Sequence, residues 1–331
     1  MKKLLLVLVF CLFLSACGAT AVTQRQIFAL DTLVSLTAYG PSASAALDAA
    51  EDELKLLEER FAVDSEGELA VLNREGYLAE PSDGLIYQLR LAKEISYRTG
   101  GVFDITILPL IRLWGFQDGQ YRLPSPDEIA SALEYVGMDN LDISDGVRLS
   151  KGSEITLGAV AKGYIADRLA EVMKENGVES GIISLGGNVR TVGLKPDGSH
   201  WSVAVADPQG QGYALLLSLT ECSAVTSGGY QRYFTENGQH YHHILDPRTG
   251  YPVQTDLLSV TVVCSDGSLA DALSTSLFAL GLDGAAEFCR KNGDFEAVFI
   301  TADAVLVTDG LKDVVSDVAK KYNLEFINTE E

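Results

Sequence analysis

Residues 157–189, LGAVAKGYIADRLAEVMKENGVESGIISLGGNV, decide the fold class. The first twenty or so predict a helix over 157–176, with Leu169, Val172 and Met173 on its apolar side and Gly177 just past its end. From Gly181 the texture changes to short β-rich runs separated by Gly, Asn, Asp and Pro. A helix is thus followed by strands too closely spaced for the helical crossovers that parallel sheets require. This reading gives an α+β fold of two closely joined lobes, mixed helices and an antiparallel-rich sheet, with a ligand cleft between them. The approximate internal boundary falls near residue 150.

Working outward, residues 27–39 alternate and predict an opening strand. Residues 42–61 carry Leu47, Leu54, Leu57 and Phe61 at helical spacing, and 81–98 and 126–136 predict two more helices. Downstream, strands are expected over 182–185, 201–206, 214–219, 242–245 and 257–263. Helices follow over 268–280 and 285–292, then strands over 297–300 and 304–308.

The N-terminus has the parts of a secretion signal. Lys2 and Lys3 precede an apolar run over residues 4–14, then Leu14-Ser15-Ala16-Cys17. That run is shorter than the roughly 20 residues a lasting membrane span needs, so residues 1–16 are expected to be a lipoprotein signal peptide. Cys17 is the expected lipidation site, residues 17–26 a short tether, and residues 27–331 the functional domain. The expected location is exported and lipid-anchored to the outer side of the cell membrane. The chain has 331 residues, with 25 Lys and Arg against 46 Asp and Glu, a net charge of −21. Such a surface repels nucleic acid, so no nucleic-acid partner is expected. A polyanionic ligand would need a local metal or lysine. Cys222, Cys264 and Cys289 show no metal-ligand spacing and leave open either one disulfide plus a free thiol or three free thiols.

Familiar nucleotide signatures are missing: no GxGxxG after a strand, no GxxxxGK[ST], no GxSxG elbow and no HExxH. Five segments nevertheless carry more glycine and polar groups than plain core needs. Gly100-Gly101-Val102-Phe103-Asp104 places a carboxylate between apolar neighbours after two glycines. Gly158-Ala159-Val160-Ala161-Lys162-Gly163 opens a helix, where free amides favour an anion and a lysine one turn in reaches it. Ser184–Val189 and Ala224–Arg232 read as tight strand-to-strand turns, the second with two hydroxyls and an arginine. His242-His243-Ile244-Leu245-Asp246-Pro247-Arg248-Thr249-Gly250 is a turn carrying two imidazoles. Farther on, Asp271 and Thr275 stand at i and i+4 of a helix, an oxygen-only pair that suits Mg²⁺.

Taken in order, GGVFDIT (100–106), GAVAKGYIAD (158–167), SLGGNVRTVG (184–193), AVTSGGYQRYF (224–234), HHILDPRTGYP (242–252) and DALSTSLF (271–278) resemble the FAD:protein FMN transferase family, the ApbE-type flavin transferases. The resemblance runs from about residue 28 to 309. It implies Mg²⁺-dependent cleavage of FAD and transfer of FMN to a threonine of an extracytoplasmic or membrane flavoprotein, with release of AMP. It implies Asp271, Thr275 and the carbonyl of Ala159 as metal ligands. Leu30, Val102, Phe103, Asp104, Thr156, Lys162, Ser227, Gly228, Gly229, His243 and Ile244 are implied to line the FAD site. His243 and Asp271 are the implied catalytic residues, His243 as the proton acceptor. The chain departs from the family's pattern at three places. Leu30-Asp31-Thr32 stands for Met-Gly-Thr, Thr156 for an acid, and Val63 near a position often aromatic, where some members hydrolyse FAD instead. Two other functions are compatible with the residues: an FAD pyrophosphatase using the same site, and a lipid-anchored flavin-binding protein with neither metal nor base.

Overall fold

The computed structural model describes residues 21–329, so the expected leader and Cys17 lie outside the described residues. The body is built in three layers. Its middle is a nine-stranded sheet in the order Val22–Ala29, Thr32–Tyr39, Ser180–Leu185, Asn188–Val192, Ser223–Gly228, Ser259–Cys264, Glu296–Ile300, Ala304–Thr308, Asn323–Ile327. Every neighbouring pair is antiparallel except the last. Ser259–Cys264 is buried at all six residues because both faces of the sheet are covered there. On one face lie the helices Ala43–Phe61, Ala161–Glu175 and Gly267–Lys291, which bury Leu47, Leu54, Leu57, Leu169, Met173, Leu273 and Leu277. On the other lies a three-stranded sheet, Val315–Val318, Tyr213–Leu219, Trp201–Ala206. Its alternation is strict: Trp201, Val203 and Val205 point inward against Val298, Ile300 and Val305, while Ser202, Ala204 and Ala206 face water. The fold is α+β, as the strand-rich half of the sequence predicts.

The large sheet takes strands from both sides of residue 150, pairing Thr32–Tyr39 with Ser180–Leu185. A third, smaller core of Leu110, Trp114, Phe116, Ile129 and Leu245 gathers beside the main one. The Trp114 indole N–H donates to the Gly250 carbonyl at 2.8 Å, which pins the Asp246–Gly250 turn to the helix Leu108–Leu113.

Four local expectations change. Residues 27–39 are not one strand but the end of a hairpin, Val22–Ala29 with Thr32–Tyr39, joined by Leu30 and Asp31 at φ 54° and 56°. Both turn residues are left-handed, which a two-residue hairpin of this twist demands. Val22–Ala29 also converts the latter part of the expected 17–26 tether into strand. The helix expected from 157 begins at Ala161, leaving 157–160 as a turn whose backbone is not committed to the helix. His242 ends the strand Gln239–His242, and Leu245 forms only a single bridge with Pro252. The expected interruption between 280 and 285 is a real break, at Gly281 (φ 71°, ψ 173°), with Asp256 accepting the Leu282 N–H at 3.0 Å. The three cysteines are free. No helix among the described residues is long and apolar enough to cross a membrane.

The starts of the helices Ala161–Glu175 and Gly267–Lys291 touch backbone to backbone. A Cβ on Gly163 would sit 1.9 Å from the Gly267 carbonyl oxygen, and one on Gly267 would sit 2.7 Å from that of Gly163. The Asp167 carboxylate accepts the Gly267 N–H at 2.6 Å and lies 3.3 Å from Arg190 Nε, clamping the same junction. Gly163→Ala is therefore expected to force the helices apart and cost about 1–3 kcal/mol. Urea unfolding of the variant and parent, read as the difference in midpoint at equal slope, checks this.

Candidate active site

A cavity of about 570 Å³ opens between the helix layer, the hairpin turn at 30–31 and the small aromatic core. That volume is in the range of small-molecule sites. One wall is the junction just described. Asp271, 3 % exposed, stands in the second turn of its helix, and its Oδ2 accepts the Gly163 N–H at 2.9 Å. Burial pushes the Asp271 carboxyl up from its usual range, against the nearby Lys162 charge and the Gly163 and Asn188 hydrogen bonds. The site therefore holds a buried carboxylate whose charge the protein neutralises only in part. Thr275 is one turn further on, and the turn residues Gly158 and Ala159 face the same space. Carboxylate, hydroxyl and the backbone carbonyls of the Gly158–Ala159 turn form an oxygen-only set. This fits a hard divalent cation better than zinc.

The opposite wall comes from 102–107. Gly100 and Gly101, at φ 66° and 80°, close the helix Asp83–Arg98, with Gly101 N–H donating to the Ser96 carbonyl at 2.8 Å. The chain then turns sharply to place Val102, Phe103 and Asp104 on the cavity. Asp104 Oδ1 accepts both the N–H and the hydroxyl of Thr106, at 2.7 and 2.6 Å, and burial raises its pKa. Thr156 N–H donates to the Ile105 carbonyl at 2.8 Å and its hydroxyl accepts from Gly158 N–H at 3.2 Å, tying the two walls together.

Leu30 and Asp31 form the rim. Left-handed non-glycine residues cost of order 1–3 kcal/mol each, and the Leu30 N–H donates to Glu58 Oε1 at 2.6 Å. A hydrogen bond to a charged group contributes about 1.5–3 kcal/mol, enough to offset most of the strain. Asp31 sits where the family pattern has glycine, and the backbone there explains why glycine suits that place.

The last wall carries the imidazole. His243 Nδ1 lies 3.1 Å from the Arg232 carbonyl oxygen, which fixes the ring with its other nitrogen toward the cavity. Burial, then the charge of Arg232, pushes its pKa down to about 3, so it is neutral. Its neighbour His242 faces away, 3.1 Å from the Val253 carbonyl oxygen and edge-on to Phe278. The Arg232 guanidinium donates to the Phe116 carbonyl.

Leu30, Val102, Phe103, Asp104, Thr156, Ala159, Lys162, Ser227, His243, Ile244, Asp271 and Thr275 are brought together on this cavity. Gly228 and Gly229 are not on its wall. A Cβ on Gly228 would lie 2.6 Å from the Tyr230 ring, and one on Gly229 2.8 Å from the His242 ring, so close packing accounts for both glycines. Sequence reading passed over Glu58, Asp64 and Gln117, which also line the space. Nothing in their spacing marks them, since they lie on the outward side of a helix end or in loops. A second cavity of about 410 Å³, by Leu282, Arg290, Leu306 and Phe326, holds none of the residues singled out.

Residues 30–299 match the family model described as the ApbE family. The chain belongs to the ApbE family. It is 31% identical over 340 residues to the FAD:protein FMN transferase of Treponema pallidum, covering 94% of each chain. It is 37% identical over 223 residues to that of Klebsiella pneumoniae, covering 65% of this chain and 69% of the relative. Among solved structures, the ApbE protein of Thermotoga maritima superposes with a TM-score of 0.82 at 29% identity, over 90% of this chain and all of the other. The flavinyl transferase ApbE of Pseudomonas stutzeri, in its apo form, gives 0.79 at 26% identity, over 91% and 98%.

The lowered His243 pKa has a testable sign. An unfolded histidine titrates near 6.5, so between pH 6.5 and about 3 the unfolded chain binds a proton that the folded one does not. The folded state is thus penalised increasingly as pH falls through that window. His243→Gln is expected to lose less stability than the parent between pH 7 and pH 4, measured by denaturant midpoints at both pH values.

Proposed function

We propose that this chain is a Mg²⁺-dependent FAD:protein FMN transferase. It cleaves FAD at the pyrophosphate, joins FMN through a phosphoester to a threonine hydroxyl of a flavoprotein partner, and releases AMP. The observation that carries the reading is the meeting of Asp271, Thr275, Lys162 and His243 on one cavity in a chain of the ApbE family. The names of the relatives in Treponema pallidum and Klebsiella pneumoniae support it.

Each residue has a task that follows from its surroundings. Asp271, Thr275 and the Ala159 carbonyl would hold the cation. When bound, that ion supplies charge neutralisation at the pyrophosphate and the counter-charge that the buried Asp271 lacks. Lys162, at the start of its helix, offsets phosphate charge from the other side. The apolar wall of Val102, Phe103, Leu30 and Ile244 takes the flavin and keeps water from the reacting phosphorus. His243, neutral and oriented through Nδ1, accepts the acceptor hydroxyl's proton as the new P–O bond forms and the bond to the AMP oxygen breaks. Burial and the Arg232 charge keep this imidazole weakly basic, and phosphate anions beside it would raise its basicity.

We place the protein outside the cell, lipid-anchored through Cys17, with an extracytoplasmic or membrane redox flavoprotein as acceptor. Val63, aliphatic and on the cavity wall near a place where the family often has an aromatic, supports hydrolysis of FAD to FMN and AMP as the competing outcome.

The protein, mixed with FAD, Mg²⁺ and a threonine-bearing flavoprotein domain, is expected to add an FMN-sized mass to the acceptor by intact-mass measurement. Free FMN and AMP without that mass establish the pyrophosphatase instead, and intact FAD under every condition leaves only binding. Asp271→Ala is expected to bring turnover to background, as is chelation of the metal; undiminished rates in the variant exclude the metal assignment. Cys17→Ser is expected to release the protein from the membrane fraction while leaving transfer in solution unchanged.

A further inference from the structure

Three hydroxyl groups stand in series behind the Asp271 wall. Ser274 Oγ is 2.9 Å from the Asp271 main-chain carbonyl oxygen and 2.8 Å from Ser227 Oγ. Ser227 Oγ is in turn 3.1 Å from Thr275 Oγ1. Each hydroxyl has one proton to give and can accept through its lone pairs. The series ends on a carbonyl oxygen, which only accepts, so the Ser274 proton is committed to Asp271. Ser274 then has none left for Ser227, and Ser227 must donate to it. With its proton spent, Ser227 can only accept from Thr275. One backbone oxygen thereby sets the direction of all three protons.

We infer that Ser227 and Ser274 are positioning residues that draw the Thr275 proton away from the cavity and leave the Thr275 lone pairs facing it. Thr275 is then an acceptor-only hydroxyl, suited to a cation and unable to donate to a phosphate oxygen without breaking the series. Ser274 is fully buried and Ser227 half-buried, so water does not compete freely for these bonds. The same helix turn supplies both the Asp271 carboxylate and the carbonyl that ends the relay, so the two oxygen ligands are oriented by one rigid element. Outer partners of this kind typically alter metal affinity by about 10- to 100-fold when removed. The inference deepens the proposed transferase site and rests on its metal reading.

Mn²⁺ is the probe, with its free fraction read by EPR in the full-length protein at saturating FAD and no acceptor. Ser227→Ala and Ser274→Ala are expected to weaken Mn²⁺ about 10- to 100-fold. In Ser274→Ala, whose side chain is fully buried and off the cavity wall, metal-free FAD binding, followed in EDTA by flavin fluorescence, is expected to stay at the parent value, and Ser227→Thr is expected to restore most of the Mn²⁺ affinity lost in Ser227→Ala. Parental Mn²⁺ affinity in both alanine variants overturns the relay. So does an equal loss of metal-free FAD binding in Ser274→Ala, which would make that serine a support of the cavity as a whole and not of the metal ligand. If the parent and Asp271→Ala bind Mn²⁺ alike, the metal site itself fails and the relay with it, an outcome distinct from the first two. Thermal melts of each variant confirm folding, and Ser274→Ala, in the relay but off the cavity wall, is the decisive one.

Discussion

The contact between Gly163 and Gly267 is the constraint on which the site depends. Two helix starts meet there with no side chain between them, and two consequences follow at once. Lys162 is carried beside Asp271, and the Gly163 amide becomes the donor that receives the Asp271 carboxylate. A buried acid, a lysine and the amide that holds the acid are thereby concentrated within one turn of two helices. Asp167 holds the junction shut by accepting the Gly267 amide while lying against Arg190. The same burial raises the Asp167 pKa to about 6, so the clamp is a carboxylate kept charged mainly by its arginine and amide partners.

The remaining walls are brought to this junction by longer connections. The Asp104–Thr106 bonds fix the 102–107 wall locally, and the Thr156–Ile105 bond ties it to a segment some fifty residues on. Trp114, donating to Gly250, holds the loop that presents His243. The cavity is thus shaped by backbone hydrogen bonds and close glycine packing, and few of its lining side chains hold one another.

Much of this was legible in the sequence because the elements are strongly patterned. The alternation in 201–206, the helical spacing over 42–61 and the shift from helix to strands after Gly177 each reflect one face turned to the core, and periodicity reports that directly. The candidate residues converge because they sit at element ends. What stayed hidden lacked a local mark. The hairpin turn at Leu30-Asp31 has no glycine, so 27–39 read as one strand; only the bond to Glu58, 28 positions away, makes that turn affordable to the fold. Residues 157–160 share the apolar texture of the helix that follows, yet Val160 sits at φ −141° and the helix starts only at Ala161. Gly228 and Gly229 read in sequence as a tight turn, with a place in the FAD site implied only by the resemblance, and the rings of Tyr230 and His242 occupy the space beside them. The order of protons through Ser274, Ser227 and Thr275 depends on a strand and a helix meeting, which no spacing rule encodes.

The early start of the first strand sets a reach. With Cys17 acylated as proposed, residues 18–21 are all that separate the anchor from Val22, where the sheet begins. At about 3.3–3.6 Å per extended residue, that leash spans less than about 20 Å. The body that follows Cys17, without Lys2 and Lys3, has 23 Lys and Arg against 46 Asp and Glu, a net charge of −23, and its near side is then kept within about two screening lengths of the lipid surface. Partners would have to be served at that height, so the enzyme's working range is a thin layer above the bilayer and excludes domains held far from it.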